Sequence, residues 1–202
     1  TVDDYCDYTF SYNDEGIRIS KEYQNQEDTG DHYLTLYNVS GSTIISETEY
    51  YDDMGVWVEQ YSLIYIYDEN GAPIGIRYRT PSYASGVFDN YLFEKNLQGD
   101  IVAIYNASGT KICTYKYDAW GNFTVTLTSG ITNNERLIAN TYNPFRYRGY
   151  YYDVDLGLYY LNSRYYNQQW GRFINADDSS VLAIEQNSLT QFNLFAYCLN
   201  NP

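Results

Sequence analysis

The chain has little of what catalysis usually draws on. Its 202 residues include one histidine, His32, and one methionine, Met54. His32 sits between Asp31 and Tyr33, where it reads as the start of a strand. No cysteine stands near it, so a Cys–His dyad or another histidine-based nucleophile has no support. Cysteine is also sparse: Cys6, Cys113 and Cys198 lie far apart, with no CxxC and no Cys/His spacing, which excludes a structural zinc site. Three thiols allow at most one disulfide; free, mostly buried thiols are expected, and the count leaves the redox compartment open. No apolar run approaches the ~18 residues of a membrane-spanning helix, and no signal-peptide pattern is present. A start at Thr1 and a stop at "LNNP" lead us to expect a piece of a longer protein. Basic residues are few: 12 Lys and Arg against 26 Asp and Glu give a net charge of -14. Such a surface repels phosphate backbones and anionic headgroups, so neither nucleic-acid binding nor membrane insertion is expected. Cations and basic partners remain open, against the plainer reading of a solvated acidic surface.

Tyrosine is the abundance, with 27 residues. Its ring packs well on a pleated surface while its hydroxyl finds water or a partner, so an all-β chain is expected. The pattern Tyr-[Asp/Asn]-x-x-Gly recurs at Tyr12, Tyr37, Tyr51, Tyr67, Tyr105 and Tyr117, with longer variants from Tyr152 and Tyr166. In each copy the Asp or Asn can accept hydrogen bonds from amides just ahead and nucleate a turn, and the glycine can take a positive φ. The turn positions read this way are Asn13 and Gly16, Asn38 and Gly41, Asp52 and Gly55, Asp68 and Gly71, Asn106 and Gly109, Asp118 and Gly121, Asp153 and Gly157, and Gly171. Each copy predicts strand, tight turn, strand. The flanks agree: "FTVTLT" places Phe123, Val125 and Leu127 on one face, and "YSLIYIY" is apolar on both. Residues 129–142 read as a long loop with one helical turn, and the segment after Asp177 as irregular with short helices.

Two kinds of site deserve weighing from the residues alone. "DVDLG" brings Asp153 and Asp155 beside a glycine, as calcium loops do, but the further ligands of such a loop do not follow and a plain turn explains the segment. No other cofactor is indicated. Trp57, Trp120 and Trp170 could stack on sugars, although Trp120 and Trp170 each precede a turn glycine and are read as hairpin caps. No pair of glutamates stands out as acid and nucleophile. Carbohydrate binding or cell-surface adhesion is therefore the alternative to a purely structural role.

The Tyr-Asp turns, "NLQGDIVAIYNASG", "YKYDAWGN" and above all "NPFRYRGYYYDVDLGLYYLNSRYYNQQWGRFINADD" make the chain resemble RHS/YD-repeat proteins. Asn143 to Asp178 resembles the RHS-repeat-associated core region. The resemblance implies YD-repeat hairpins over 1–142 and the core region over 143–202. It implies an antiparallel hairpin ribbon spiralling into a β-shell, with an irregular, partly helical C-terminal segment. It further implies a large secreted or wall-associated protein of polymorphic-toxin type, whose shell encloses or presents its own C-terminal cargo domain. Exposed sheet edges would invite self-association. The core's tyrosines are then packing residues, with Arg146, Arg148, Arg164 and Arg172 stacking on rings or pairing with Asp153 and Asp155. In many relatives the core is an aspartyl autoprotease; Asp177 is the best match to its first aspartate. Ala176 stands where an arginine often precedes that aspartate, which leaves Arg164 or Arg172 to substitute. The second aspartate has no counterpart here, so this chain is not expected to cleave itself.

Overall fold

A computed structural model describes residues 6–25, 31–177, 193–198 and 202. The chain forms two compact units, Thr1–Leu92 with Asn106–Ser108 and Phe93–Tyr105 with Gly109–Pro202. The first unit holds β1 (Cys6–Tyr12), β2 (Arg18–Asn25), β3 (His32–Ser40), β4 (Thr43–Asp53), β5 (Val56–Tyr67), β6 (Pro73–Arg79) and the start of β7 (Asp89–Lys95). The second continues with β8 (Ile101–Asn106), β9 (Lys111–Tyr117) and β10 (Phe123–Leu127), then a smaller sheet of β11 (Tyr151–Asp153), β12 (Leu158–Leu161), β13 (Arg164–Asn167) and β14 (Arg172–Phe173). Strand order equals sequence order in both sheets, and every pairing with a resolved register is antiparallel. The architecture is all-β.

One turn recurs among the hairpins of the larger sheet. Tyr12 pairs with Arg18, Tyr67 with Pro73, Tyr105 with Lys111 and Tyr117 with Phe123. Inside three of these loops the Asp or Asn Oδ1 accepts amide bonds from two and four residues ahead: Asn13 from Glu15 and Ile17, Asp68 from Asn70 and Ala72, Asp118 from Trp120 and Asn122. The glycine amide returns to the same residue's carbonyl, as Gly121 does to Asp118 at 3.2 Å. Asp118 stays below the ordinary carboxylate range: burial opposes its ionisation, but the bonds from Asn122, Trp120 and Gly121 outweigh it. Asn96 makes the same turn, accepting from Gln98 and Asp100, although Lys95 precedes it instead of a tyrosine.

Two motif copies fold differently. Asn38 lies inside β3, with Ser40 opposite Thr43 across a two-residue tip at Gly41 and Ser42. Asp52 lies inside β4, its carboxylate accepting from Gly55 N at 2.6 Å across a tip where Met54 and Gly55 both have positive φ. The longer strand pairing outcompetes the wider loop there.

On β5, Tyr61, Leu63 and Tyr65 are buried, and Ser62, Ile64 and Ile66 are half-buried. Tyr8, Tyr23, Tyr33 and Tyr51 lie directly opposite one another across β1 to β4, with successive ring centroids 5.2, 6.2 and 5.2 Å apart. Residues 129–142 contain more helix than the expected single turn. α1 (Asn133–Leu137) opens on a capping box between Thr132 and Glu135, and a π turn follows over Ile138–Tyr142. The expectation of short helices after Asp177 falls largely outside the described residues. No helix among those described is long and apolar enough to cross a membrane.

Candidate functional site

The tyrosine-rich run folds into β11 to β14 and buries Tyr147, Tyr159, Tyr166, Phe173 and Tyr197 in one cluster. Three of these rings send their hydroxyls out of the cluster to one target. Tyr147 donates to the Ala119 carbonyl at 2.7 Å, Tyr166 to Trp120 at 2.8 Å and Tyr159 to Gly121 at 2.9 Å. These are consecutive carbonyls of the "YDAWG" turn between β9 and β10. Steric fit reinforces the grip: a Cβ on Gly121 would lie 2.8 Å from the Tyr147 ring, and one on Gly171 3.0 Å from the Trp120 ring. The small sheet and Tyr147 just ahead of it thus clasp the turn between β9 and β10, the last of the larger sheet.

Arg146 anchors the clasp from behind. It is fully buried and lies over the rings of Tyr115 and Phe123, 4.6 and 5.2 Å from their centroids. Its guanidinium donates to the Tyr115 hydroxyl and the Asn140 carbonyl, and the Tyr115 hydroxyl in turn donates to the Ala139 carbonyl. Burial raises the Tyr115 phenol, so this relay stays protonated.

The candidate catalytic residue Asp177 follows β14. Its carboxylate pairs with Arg164 at 2.7 Å, and that guanidinium lies 3.7 Å from the Phe173 ring centroid. Its amide donates to Leu194 O at 2.9 Å, beside the bridge between Arg172 and Ala196. Arg172 lies over Phe195 instead, so Arg164 is the arginine that reaches Asp177. Asp178 lies outside the described residues.

The other candidates separate. Asp153 is buried at the end of β11, its carbonyl accepting from Gly157, whereas Asp155 is exposed. Among the described residues, no group of three or more His, Cys, Asp or Glu is placed to hold a metal. His32 stands between Glu22 (2.7 Å) and Asp52 (3.2 Å), with its ring edge-on to Trp57. Trp120 is packed on Gly171, Trp57 is 40% exposed and Trp170 67% exposed. Of the thiols, all free, Cys113 is buried, Cys6 half-buried and Cys198 exposed, so the expected burial holds for one. Sequence reasoning missed that the tyrosine hydroxyls converge on one turn; no local signal in the chain encodes it.

No protein-family model matches the chain. Over 198 residues, 96% of its length, it is 32% identical to the tRNA3(Ser)-specific nuclease WapA of Bacillus spizizenii and equally to the tRNA nuclease WapA of Bacillus subtilis strain 168. It spans about 7% of the length of each. In fold it is similar to the Photorhabdus luminescens Tc holotoxin pore, at 19% identity and a TM-score of 0.71 over 96% of this chain and 8% of that one. The crystal structure of TcdB2-TccC3 matches likewise, at 18% identity and a TM-score of 0.71 over 96% of this chain and 9% of that one.

Proposed function

Because the chain belongs to the RHS/YD-repeat proteins, we propose that it is wall material of a β-shell in a large, secreted or cell-surface, toxin-related protein, where it helps enclose or present a C-terminal cargo domain. In this reading residues 1–142 are the hairpin ribbon and 143–202 the core region. The observation that carries it is the clasp: three tyrosine hydroxyls bonded to consecutive carbonyls of the final repeat turn join the end of the ribbon to the core region as one packed piece. The relatives' names record tRNA cleavage. With a charge of -14 and one histidine, this segment is poorly suited to bind or cut RNA, so any such activity is assigned to another part of the protein. The test is limited proteolysis of the full-length protein. The downstream polypeptide is expected to resist protease until the clasp is broken by Gly121→Ala. Equal sensitivity in both proteins would contradict enclosure.

Asp177 is proposed as one carboxylate of a self-cleaving pair, supported by its placement beside Arg164. In a chain continuing past Pro202, Asp177→Asn is expected to stop cleavage while the fold persists. An unchanged rate would remove the assignment. Sugar binding is the second reading, favoured only by the exposed rings of Trp57 and Trp170. Saturable glycan binding that Trp57→Ala or Trp170→Ala abolishes would establish it.

A further inference from the structure

The ladder of Tyr8, Tyr23, Tyr33 and Tyr51 in the first unit is built unlike the tyrosine cluster of the second. Its four rings are half-buried, one to a strand across β1 to β4. Within it, Tyr33 and Tyr51 stand directly opposite each other, with ring centroids 5.2 Å apart and planes inclined at 53°. Directly opposed residues on neighbouring strands hold their Cβ atoms about 4.5–5.5 Å apart, so these two rings meet with no backbone between them. Among the described residues, neither hydroxyl is hydrogen-bonded to another group of the protein.

Other close tyrosine pairs differ in one of these respects. Tyr152 and Tyr159 lie 5.0 Å apart, but Tyr159 is fully buried and its hydroxyl is committed to Gly121. Tyr166 and Tyr197, 4.2 Å apart, are both buried. Tyr8 and Tyr23 match the 5.2 Å spacing, yet the Tyr23 hydroxyl is bonded to the Cys6 thiol at 3.3 Å, a group that can hand a hydrogen atom to a radical on that ring. The surroundings of Tyr33 act the other way. Burial, then the charges of Asp31 and Glu49, hold its phenol above the ordinary value of 10.0, so it meets an oxidant as the neutral phenol. The same two negative charges that oppose loss of a proton favour loss of an electron.

We propose that Tyr33 and Tyr51 form an oxidative cross-linking site, at which a one-electron oxidant of the haem-peroxidase class, driven by hydrogen peroxide, joins β3 to β4 through a dityrosine bond. Each phenol gives up one electron and one proton. The two phenoxyl radicals couple through ortho carbons, and the ortho hydrogens move to the oxygens as the rings regain aromaticity. One hydrogen peroxide takes up the two electrons and two protons and leaves as two waters. Tyr23, 6.2 Å from Tyr33, extends the ladder toward β1, so a radical formed there has a route to the pair. The new bond closes the open end of the β3–β4 hairpin, opposite its tip at Gly41 and Ser42, and the two strands then separate only if it breaks.

The experiment treats the full-length protein, as an equal mixture of unlabelled and ¹⁵N-labelled molecules, with a haem peroxidase and hydrogen peroxide. The product is cleaved after glutamate, and linked peptides are sequenced by mass spectrometry. Such cleavage separates residues 28–47, which contain Tyr33 and Tyr37, from residues 50–59, which contain Tyr50 and Tyr51. A link between these two peptides is expected, both halves carrying the same isotope label, with fragmentation placing it at Tyr33 and Tyr51. Tyr33→Phe and Tyr51→Phe keep the rings and remove only a hydroxyl, so each variant is expected to match the parent in urea unfolding and to lose the link. The proposal is wrong if no link joins the two peptides, if the link joins only separate molecules, or if either phenylalanine variant still forms it.

Discussion

At the residue scale, tyrosine acts here through its oxygen as much as its ring. Tyr147, Tyr159 and Tyr166 could each be phenylalanine as far as packing goes, yet each hydroxyl meets a carbonyl of one turn. Tyr159→Phe is expected to cost about 1 kcal/mol in urea unfolding, because the Gly121 carbonyl loses its donor in a buried place. The glycines sort by surroundings. Gly109→Ala meets nothing within 4 Å and should cost about 1–2 kcal/mol for its positive φ alone, whereas Gly121→Ala adds a clash with the Tyr147 ring and should cost about 3 kcal/mol or more. Equal losses at the two positions would deny the clasp. The glycines themselves were legible in the sequence as turn residues. That Gly121 also bears a packing constraint was not, since its neighbour Tyr147 lies 26 residues on in the chain.

At the scale of elements, the turn chemistry was readable because it is local: an Asp or Asn side chain reaches amides two and four residues ahead, whatever the rest of the molecule does. The hairpins at Asn13, Asp68 and Asp118 follow that rule. The two tighter hairpins, at Gly41 and at Met54 and Gly55, were not readable, since strand extension competes with the wider loop and the motif cannot register that. The turn at Asn96 does not read as a motif copy because Lys95 stands where the others have tyrosine, though its chemistry is the same. The helix α1 had a usable signal, "TNNE", whose Thr132 and Glu135 cap each other's backbone. Thr132→Ala is expected to lower stability by about 1 kcal/mol and to speed amide exchange across Asn133–Leu137. Unchanged exchange there would mean the cap is idle. Around the candidate site, Asp177 was legible as a residue, but its choice of Arg164 over Arg172 depends on how β13 and β14 lie together.

At the scale of the whole molecule, a tyrosine core makes stability sensitive to alkali. Burial holds Tyr117, Tyr159, Tyr166 and Tyr197 well above the ordinary phenol value of 10.0 and pushes Tyr78 up to about 12. Above pH 10 the unfolded chain sheds protons that the folded chain retains, so the stability present below that pH declines as pH rises toward the folded-state values. Urea midpoints should therefore fall steadily between about pH 9.5 and 11, with the tyrosinate absorbance of these buried rings appearing only as the chain unfolds. A flat midpoint would mean the rings are not buried as described. The shell itself is a claim about the protein around this chain, and cryo-electron microscopy of the full-length protein tests it most directly. The hairpin sheet is expected to continue outward from β1 and to close around density for a C-terminal polypeptide. A map in which this segment stands as a free domain, with no sheet added at β1 and nothing enclosed, would contradict it.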